Sequence, residues 1–233
     1  METGTPGPPE GGSPPAPEAP VPPPTGAIAH AGQVPQVRPG SGPPSAPYPV
    51  VTEFDRQDEY SRLLPLVKWL LLIPHWFVLA FIWIGAFFAV VASWFMVLFT
   101  GKYPAGIHSF VTGTYRWTTR VTAYSFLMTD RYPPFSFDHD DDYPARFDIA
   151  YTEPIARWRP LVHWLLVLPY AIVASVLVWL AYVVTFIAFF AILFTKNFPA
   201  GMFDFNVVAL RWQNRASGYY LWMTEKYPPW EWG

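Results

Sequence analysis

The stretch LLPLVKWLLLIPHWFVLAFIWIGAFFAVVASWFMVLFT, residues 63–100, decides the architecture. It holds one charged residue, Lys68, and none from there to Lys102. A second stretch, WRPLVHWLLVLPYAIVASVLVWLAYVVTFIAFFAILFT at 158–195, has no charge between Arg159 and Lys196. A bilayer core needs about 20 apolar residues per helix, so two such stretches exclude an ordinary soluble enzyme and imply an integral membrane protein.

The two stretches belong to a tandem repeat. A shift of 95 residues, without a gap, carries Arg62, Pro65, Trp69 and Pro74 onto Arg157, Pro160, Trp164 and Pro169. It also carries Pro104-Ala105-Gly106 onto Pro199-Ala200-Gly201, Arg116-Trp117 and Arg120 onto Arg211-Trp212 and Arg215, and Tyr132-Pro133-Pro134 onto Tyr227-Pro228-Pro229. Matches of Trp, Pro and Arg in register are not shared hydrophobicity alone. The chain divides into a tail at 1–47, a first repeat at 48–137, an acidic linker at 138–142 and a second repeat at 143–233.

The tail holds 15 of the 28 prolines, four charged residues and none of the 44 aromatic residues. Such a composition cannot bury enough apolar surface to offset the entropy of ordering. It reads as a disordered, partly polyproline-II segment, either a spacer or a ligand for a proline-recognising protein partner. It has no basic start followed by an apolar run, so it does not read as a secretory signal, and the N-terminus is expected in the cytoplasm.

Within each repeat a Tyr-Pro segment with weak alternation, such as residues 146–151, precedes the apolar stretch. The expected class is nonetheless all-α, with each stretch forming a membrane hairpin or one kinked span. A single helix over 63–100 would be about 57 Å long against a core of about 30 Å. Basic residues flank both ends of both stretches: Arg62, Lys68 and Lys102, then Arg157, Arg159 and Lys196. The positive-inside rule therefore favours hairpins, near 63–81 with 84–100 and 158–176 with 179–195, which return every basic flank to the cytoplasm. A kink at Pro74 or Pro169, leaving one crossing per repeat, is the alternative.

After each Pro-Ala-Gly an amphipathic segment follows. Phe110, Val111, Trp117, Val121 and Tyr124 share one face of the first, with Arg116 and Arg120 on the other. The expectation is an interfacial helix. The i, i+4 pairs Arg116/Arg120 and Arg211/Arg215 are the candidate sites for anionic lipid headgroups, through forked donors; generic snorkelling or pairing with Asp130, Glu225 or Asp204 is the competing reading. Lys68, His75 and His163, with Trp117 and Trp212, read as interface anchors, since the repeat places Tyr170 opposite His75 and Lys68 opposite His163. The run Asp138-His139-Asp140-Asp141-Asp142 lacks calcium-loop spacing and reads as a solvated loop, so no metal site is expected. No motif asks for a cofactor or a catalytic residue. The absence of cysteine excludes thiolate chemistry. A net charge of −2 gives no field for nucleic acid.

Three motifs in order, Ile73-Pro74-His75, then residues 98–106 (LFTGKYPAG), then residues 129–135 (TDRYPPF), resemble the bacterial membrane family known as domain of unknown function 4389. The second copy drifts: Tyr170 stands for the His, Lys196-Asn197 for Gly-Lys, Trp230 for the final Phe. The resemblance implies a multi-pass protein of the bacterial cytoplasmic membrane and carries no catalytic residue. The expected function is a non-enzymatic scaffold binding membrane lipid or a protein partner, compatible with a homo-oligomer. A small transport component and a lipid-acting membrane enzyme are the alternatives.

Overall fold

In a computed structural model of the chain, residues 1, 4, 48–152 and 154–232 are described. The tail at 1–47 thus lies almost wholly outside the described residues. The rest belongs to one compact unit, Ala46–Gly233. Its elements are β1 (Val50–Phe54), α1 (Leu64–Thr100), α2 (Ala105–Ser125), β2 (Ala145–Ile149), α3 (Arg159–Leu166), α4 (Leu168–Thr195) and α5 (Ala200–Tyr220).

The hairpin expectation is overturned. Helix α1 runs unbroken for 37 residues, through Pro74 and Gly85. Pro74 removes one backbone bond and Gly85 is the one turn-type residue near the expected bend, and the helix continues through both. In the second repeat α3 and α4 are separated by Val167 alone, whose N–H still bonds to the His163 carbonyl while its own carbonyl accepts from Ala171. Both α1 and α4 are long and apolar enough to cross a membrane. They end alike: Gly101 (φ 73°) and Lys196 (φ 60°) take the left-handed conformation at equivalent positions, and their N–H groups bond to the carbonyls of Val97 and Ile192.

The all-α expectation needs a second correction. The alternating segments at the start of the two repeats pair as a two-stranded antiparallel sheet, Val50 opposite Ile149, Thr52 opposite Phe147 and Phe54 opposite Ala145. The strand partner of each lies in the other repeat, which no local pattern reveals. Thr52 and Phe147 are themselves equivalent under the 95-residue shift, so a pseudo-two-fold axis passes through that pair.

Three layers follow. The sheet lies on α2 and α5, and these lie on α1 and α4. Strand β2 packs on α2 and β1 on α5, so each strand crosses to the other repeat. Equivalent bonds fix the crossing: Arg116 Nε donates to the Phe147 carbonyl at 3.2 Å, and Arg211 Nε to the Thr52 carbonyl at 3.0 Å. Likewise Tyr60 N–H donates to the Lys196 carbonyl, and Ile155 N–H to the Gly101 carbonyl. Helix α2 is therefore covered on both faces, by α1 and by β2, which corrects the expectation of a free interfacial helix. The open faces of α1 and α4 are instead apolar and broad, with Trp69, Phe77, Phe88, Trp179, Phe186 and Phe194 all exposed.

Candidate functional site

The residues expected to anchor at an interface are buried inside the protein. Lys68 is 2% exposed. Its ammonium lies 2.8 Å from Asp130 and donates to the Thr129 carbonyl at 2.8 Å. His75 is fully buried, accepts from Trp117 Nε1 at 3.0 Å and stacks on Phe135 at 3.8 Å. His163 is also fully buried, its Nδ1 2.9 Å from the Tyr219 carbonyl. Trp117 and Trp212 are buried, and Trp212 Nε1 donates to the Glu231 carbonyl. The cause is the Tyr-Pro-Pro segment, which folds back over α1 and α3–α4 and supplies Asp130, Phe135, Glu225 and Trp230.

The two clusters solve one problem in two ways. Asp130 accepts the Ser61 N–H at 2.6 Å, and its equivalent Glu225 accepts the Ala156 N–H at 2.7 Å. The first repeat neutralises its acid with Lys68. The second has His163 there and moves the cation one helical turn back, to Arg159, 3.7 Å from Glu225 and 3.2 Å from His163 Nε2. These are structural pairs.

The arginine pairs face protein acceptors rather than lipid. Arg116 binds Asp148 at 2.9 Å. Arg120 is 2% exposed and donates to the carbonyls of Ser136 and Asp138. Burial pulls its pKa down, against the pull of Asp140 and the nearby Tyr143. Arg211 holds the Thr52 carbonyl, and Arg215 stands beside Tyr170. Arg116 and Arg120 are thus held by protein acceptors on separate segments, with Arg120 Nε alone left without a partner among the described residues, and the pair is not displayed as an open fork. Among the described residues no group of three or more His, Asp or Glu could hold a metal ion; His139 lies 2.7 Å from Asp141 in the exposed linker.

What the sequence reading missed is a cavity of about 300 Å³ on the pseudo-two-fold axis, lined by hydroxyl and carboxamide groups together with apolar and aromatic side chains. Its walls are equivalent residues of the two repeats: Thr118 with Gln213, Thr119 with Asn214, Thr122 with Ser217, and Trp83 with Val178. The signal was present as a stripe, Tyr115, Thr118, Thr119, Thr122, at i, i+3, i+4 and i+7 of α2, which the split into an apolar and a basic face had passed over. Asn214 Nδ2 closes the floor, donating to Thr52 Oγ1 at 3.2 Å and Thr119 Oγ1 at 3.5 Å. Trp83 Nε1 donates to Thr118 Oγ1 at 3.2 Å. Burial pushes the Tyr115 phenol up, against a smaller effect of its hydrogen bond to Ser217, so it stays neutral. No charged side chain lines the cavity.

Two apolar grooves adjoin it. One, of about 400 Å³, runs along Phe87, Val91 and Trp94 beside Leu221 and Trp222. The other, of about 480 Å³, runs along Tyr182, Phe186 and Phe189 beside Phe126 and Leu127. The axis exchanges them: Leu127 and Trp222, both at positive φ (61° and 47°), are equivalents. Trp83 is shared between the cavity and the first groove, and Phe126 and Tyr182 between the cavity and the second. The three hollows thus lie side by side and share wall residues, the most polar one at the centre and an apolar one on either side.

No curated protein and no solved structure matches the chain. A family model does match, twice in tandem, over residues 64–136 and 157–231, which hold the long helices, α2 and α5, and both Tyr-Pro-Pro segments. The chain belongs to the family described as Domain of unknown function (DUF4389).

Proposed function

We propose that this chain is a non-enzymatic scaffold of the bacterial cytoplasmic membrane that holds one diacyl lipid with an uncharged, hydroxyl-rich head. The observation that supports the reading is the adjacency of one central cavity, lined by hydroxyl and carboxamide groups, to two apolar grooves that share wall residues with it and are related by the pseudo-two-fold axis. A cavity of about 300 Å³ is at the small end of ligand sites and suits a head rather than a whole lipid. Hydroxyls and carboxamides, with no cation, favour a sugar or polyol over a phosphate. The side chain of Gln213 has no hydrogen-bond partner among the described residues and is free to serve the head. The grooves take one chain each.

The test is lipid analysis of the protein extracted from membranes in mild detergent, with native mass spectrometry of the complex. The expected result is one uncharged glycosyl or polyol diacyl lipid per chain, lost in the Thr118→Val/Gln213→Leu variant while the melting profile is kept. Only anionic phospholipid, or the same lipid in the variant, overturns the reading.

A second reading, a small permeation component, is favoured by the position of the cavity between two repeats, where tandem transporters place their sites. It requires a path past the floor formed by Thr52, Thr119 and Asn214. Solute flux in proteoliposomes that rises when Asn214 becomes Ala would select it.

A further inference from the structure

We infer that α1 and α3–α4 lie along the plane of a single leaflet rather than crossing the bilayer. This goes beyond the lipid proposed above and rests only on the membrane part of that reading. Four observations carry it.

The first is length. The uncharged part of α1, residues 69–100, is about 48 Å long. Fitting it across a core of about 30 Å needs a tilt of about 50°, beyond the range of about 0–40° that spanning helices adopt.

The second is where the charges sit. The middle of α2 touches the middle of α1: Trp117 bonds to His75, and Trp83 bonds to Thr118. On the opposite side of that same part of α2 lies the ion pair of Arg116 with Asp148, whose carboxylate is about half exposed. Beyond it the outer face of the sheet carries Glu53 and Arg146, with Asp55 2.6 Å from Arg146. If α1 crossed the bilayer, this charged layer would face hydrocarbon near the midplane, where such groups are excluded.

The third is the sheet: among the described residues neither strand has a further strand beside it, and the outward carbonyls of Phe147 and Thr52 take charged guanidinium donors, Arg116 and Arg211. Open edges do not occur in hydrocarbon. The fourth is the placement of basic residues. Helix α1 runs opposite to α3–α4, since Trp94 near the end of α1 donates to the Pro160 carbonyl at the start of α3. Two crossing helices of this kind would put Arg62 and Lys102 on opposite sides of the membrane, and Arg157 and Lys196 as well. Lying flat, with the pseudo-two-fold axis along the membrane normal, the protein keeps all of them at one interface, as the positive-inside rule asks. The apolar faces of α1 and α4 then enter the leaflet, α2 and α5 lie at headgroup depth, and the sheet meets water.

The chain has no cysteine, so single cysteines report its placement directly. Full-length protein carrying Ser61→Cys, Lys102→Cys or Asp141→Cys is treated with a membrane-impermeant maleimide, on intact spheroplasts and on inverted membrane vesicles. The expected result is labelling of all three in inverted vesicles and of none in spheroplasts. Ser61 and Lys102 labelling from opposite sides overturns the inference and leaves the membrane reading standing. Recovery of the chain in the soluble fraction overturns both. Oriented circular dichroism of the unmodified chain in stacked bilayers gives an independent readout: the exciton band that vanishes for helices along the membrane normal should persist, and its loss overturns the flat placement.

Discussion

Asn214 donates its Nδ2 to Thr119 Oγ1 at 3.5 Å, and the two residues hold the same position in their repeats. The contact therefore sits on the pseudo-two-fold axis and joins the repeats under the central cavity. Removing either partner leaves a polar group at a part-buried floor. Asn214→Leu should cost about 1–3 kcal/mol and Thr119→Val about 1 kcal/mol. The double variant should cost less than the sum by about 0.5–1 kcal/mol. Equilibrium unfolding in mixed micelles measures the difference; strict additivity would show that the two residues do not interact.

Lys68 and Asp130 form the buried pair of the first repeat. Lys68→Met leaves the carboxylate, 19% exposed, without its cation among the described residues, and the expected loss is about 3 kcal/mol, the low end for a broken buried pair. Lys68→Met combined with Asp130→Asn should recover a large part of that loss, because no charge is then stranded. Unfolding midpoints of the two variants decide this.

Gly218 lies under β1. A Cβ added there would stand 2.6 Å from Val50 Cγ2. The β-branched side chain of Val50 is held in the sheet and has little room to turn. Gly218→Ala should cost about 1–3 kcal/mol through overpacking, and Val50→Ala in the same chain should relieve part of it. A variant as stable as the parent would mean that β1 can lift from α5 without loss.

His108 is buried in α2 near Tyr103 and Tyr151, and its Nε2 has no partner. Burial lowers its pKa, and the upward pull of Asp148 and the further lowering by Arg116 are smaller. A histidine with a folded pKa below its unfolded value of about 6.5 contributes stability above that value and loses it as pH falls toward the folded pKa. Stability should decline on acidification below about pH 6.5. His108→Phe, which copies Phe203 of the second repeat, should flatten that decline. Melting temperatures over a pH series provide the check.

The repeat, its limits and the helices after Pro-Ala-Gly were readable because prolines and tryptophans recur in register. Proline placement agrees with the structure: Pro65, Pro160 and Pro169 stand in the first turn of their helices, where no N–H is needed. The basic flanks at both ends of each apolar stretch misled: they asked for a bend near residues 82–83, where α1 stays helical. Burial of Lys68, His75 and His163 was invisible for another reason. Their partners come from segments some 40–70 residues away: Asp130, Trp117 and Tyr219. The strand pairing is more distant still. The cavity could have been found, since its lining forms a regular stripe on α2 repeated on α5. What hid it was that threonine, asparagine and serine on an amphipathic helix read as a solvent face until a second helix is known to cover them.

The crossing of each strand to the opposite repeat has a consequence for how such a protein could arise. A chain holding one repeat alone would carry a strand with no partner and an α2 with one face bare. Two such chains could satisfy both needs by exchanging strands, each with the arm of the other, in a symmetric homodimer. The acidic linker at 138–142 then acts as a covalent tether that makes an obligatory partner permanent. It also frees the two halves to diverge, so that one keeps Lys68 and the other Arg159 for the same task.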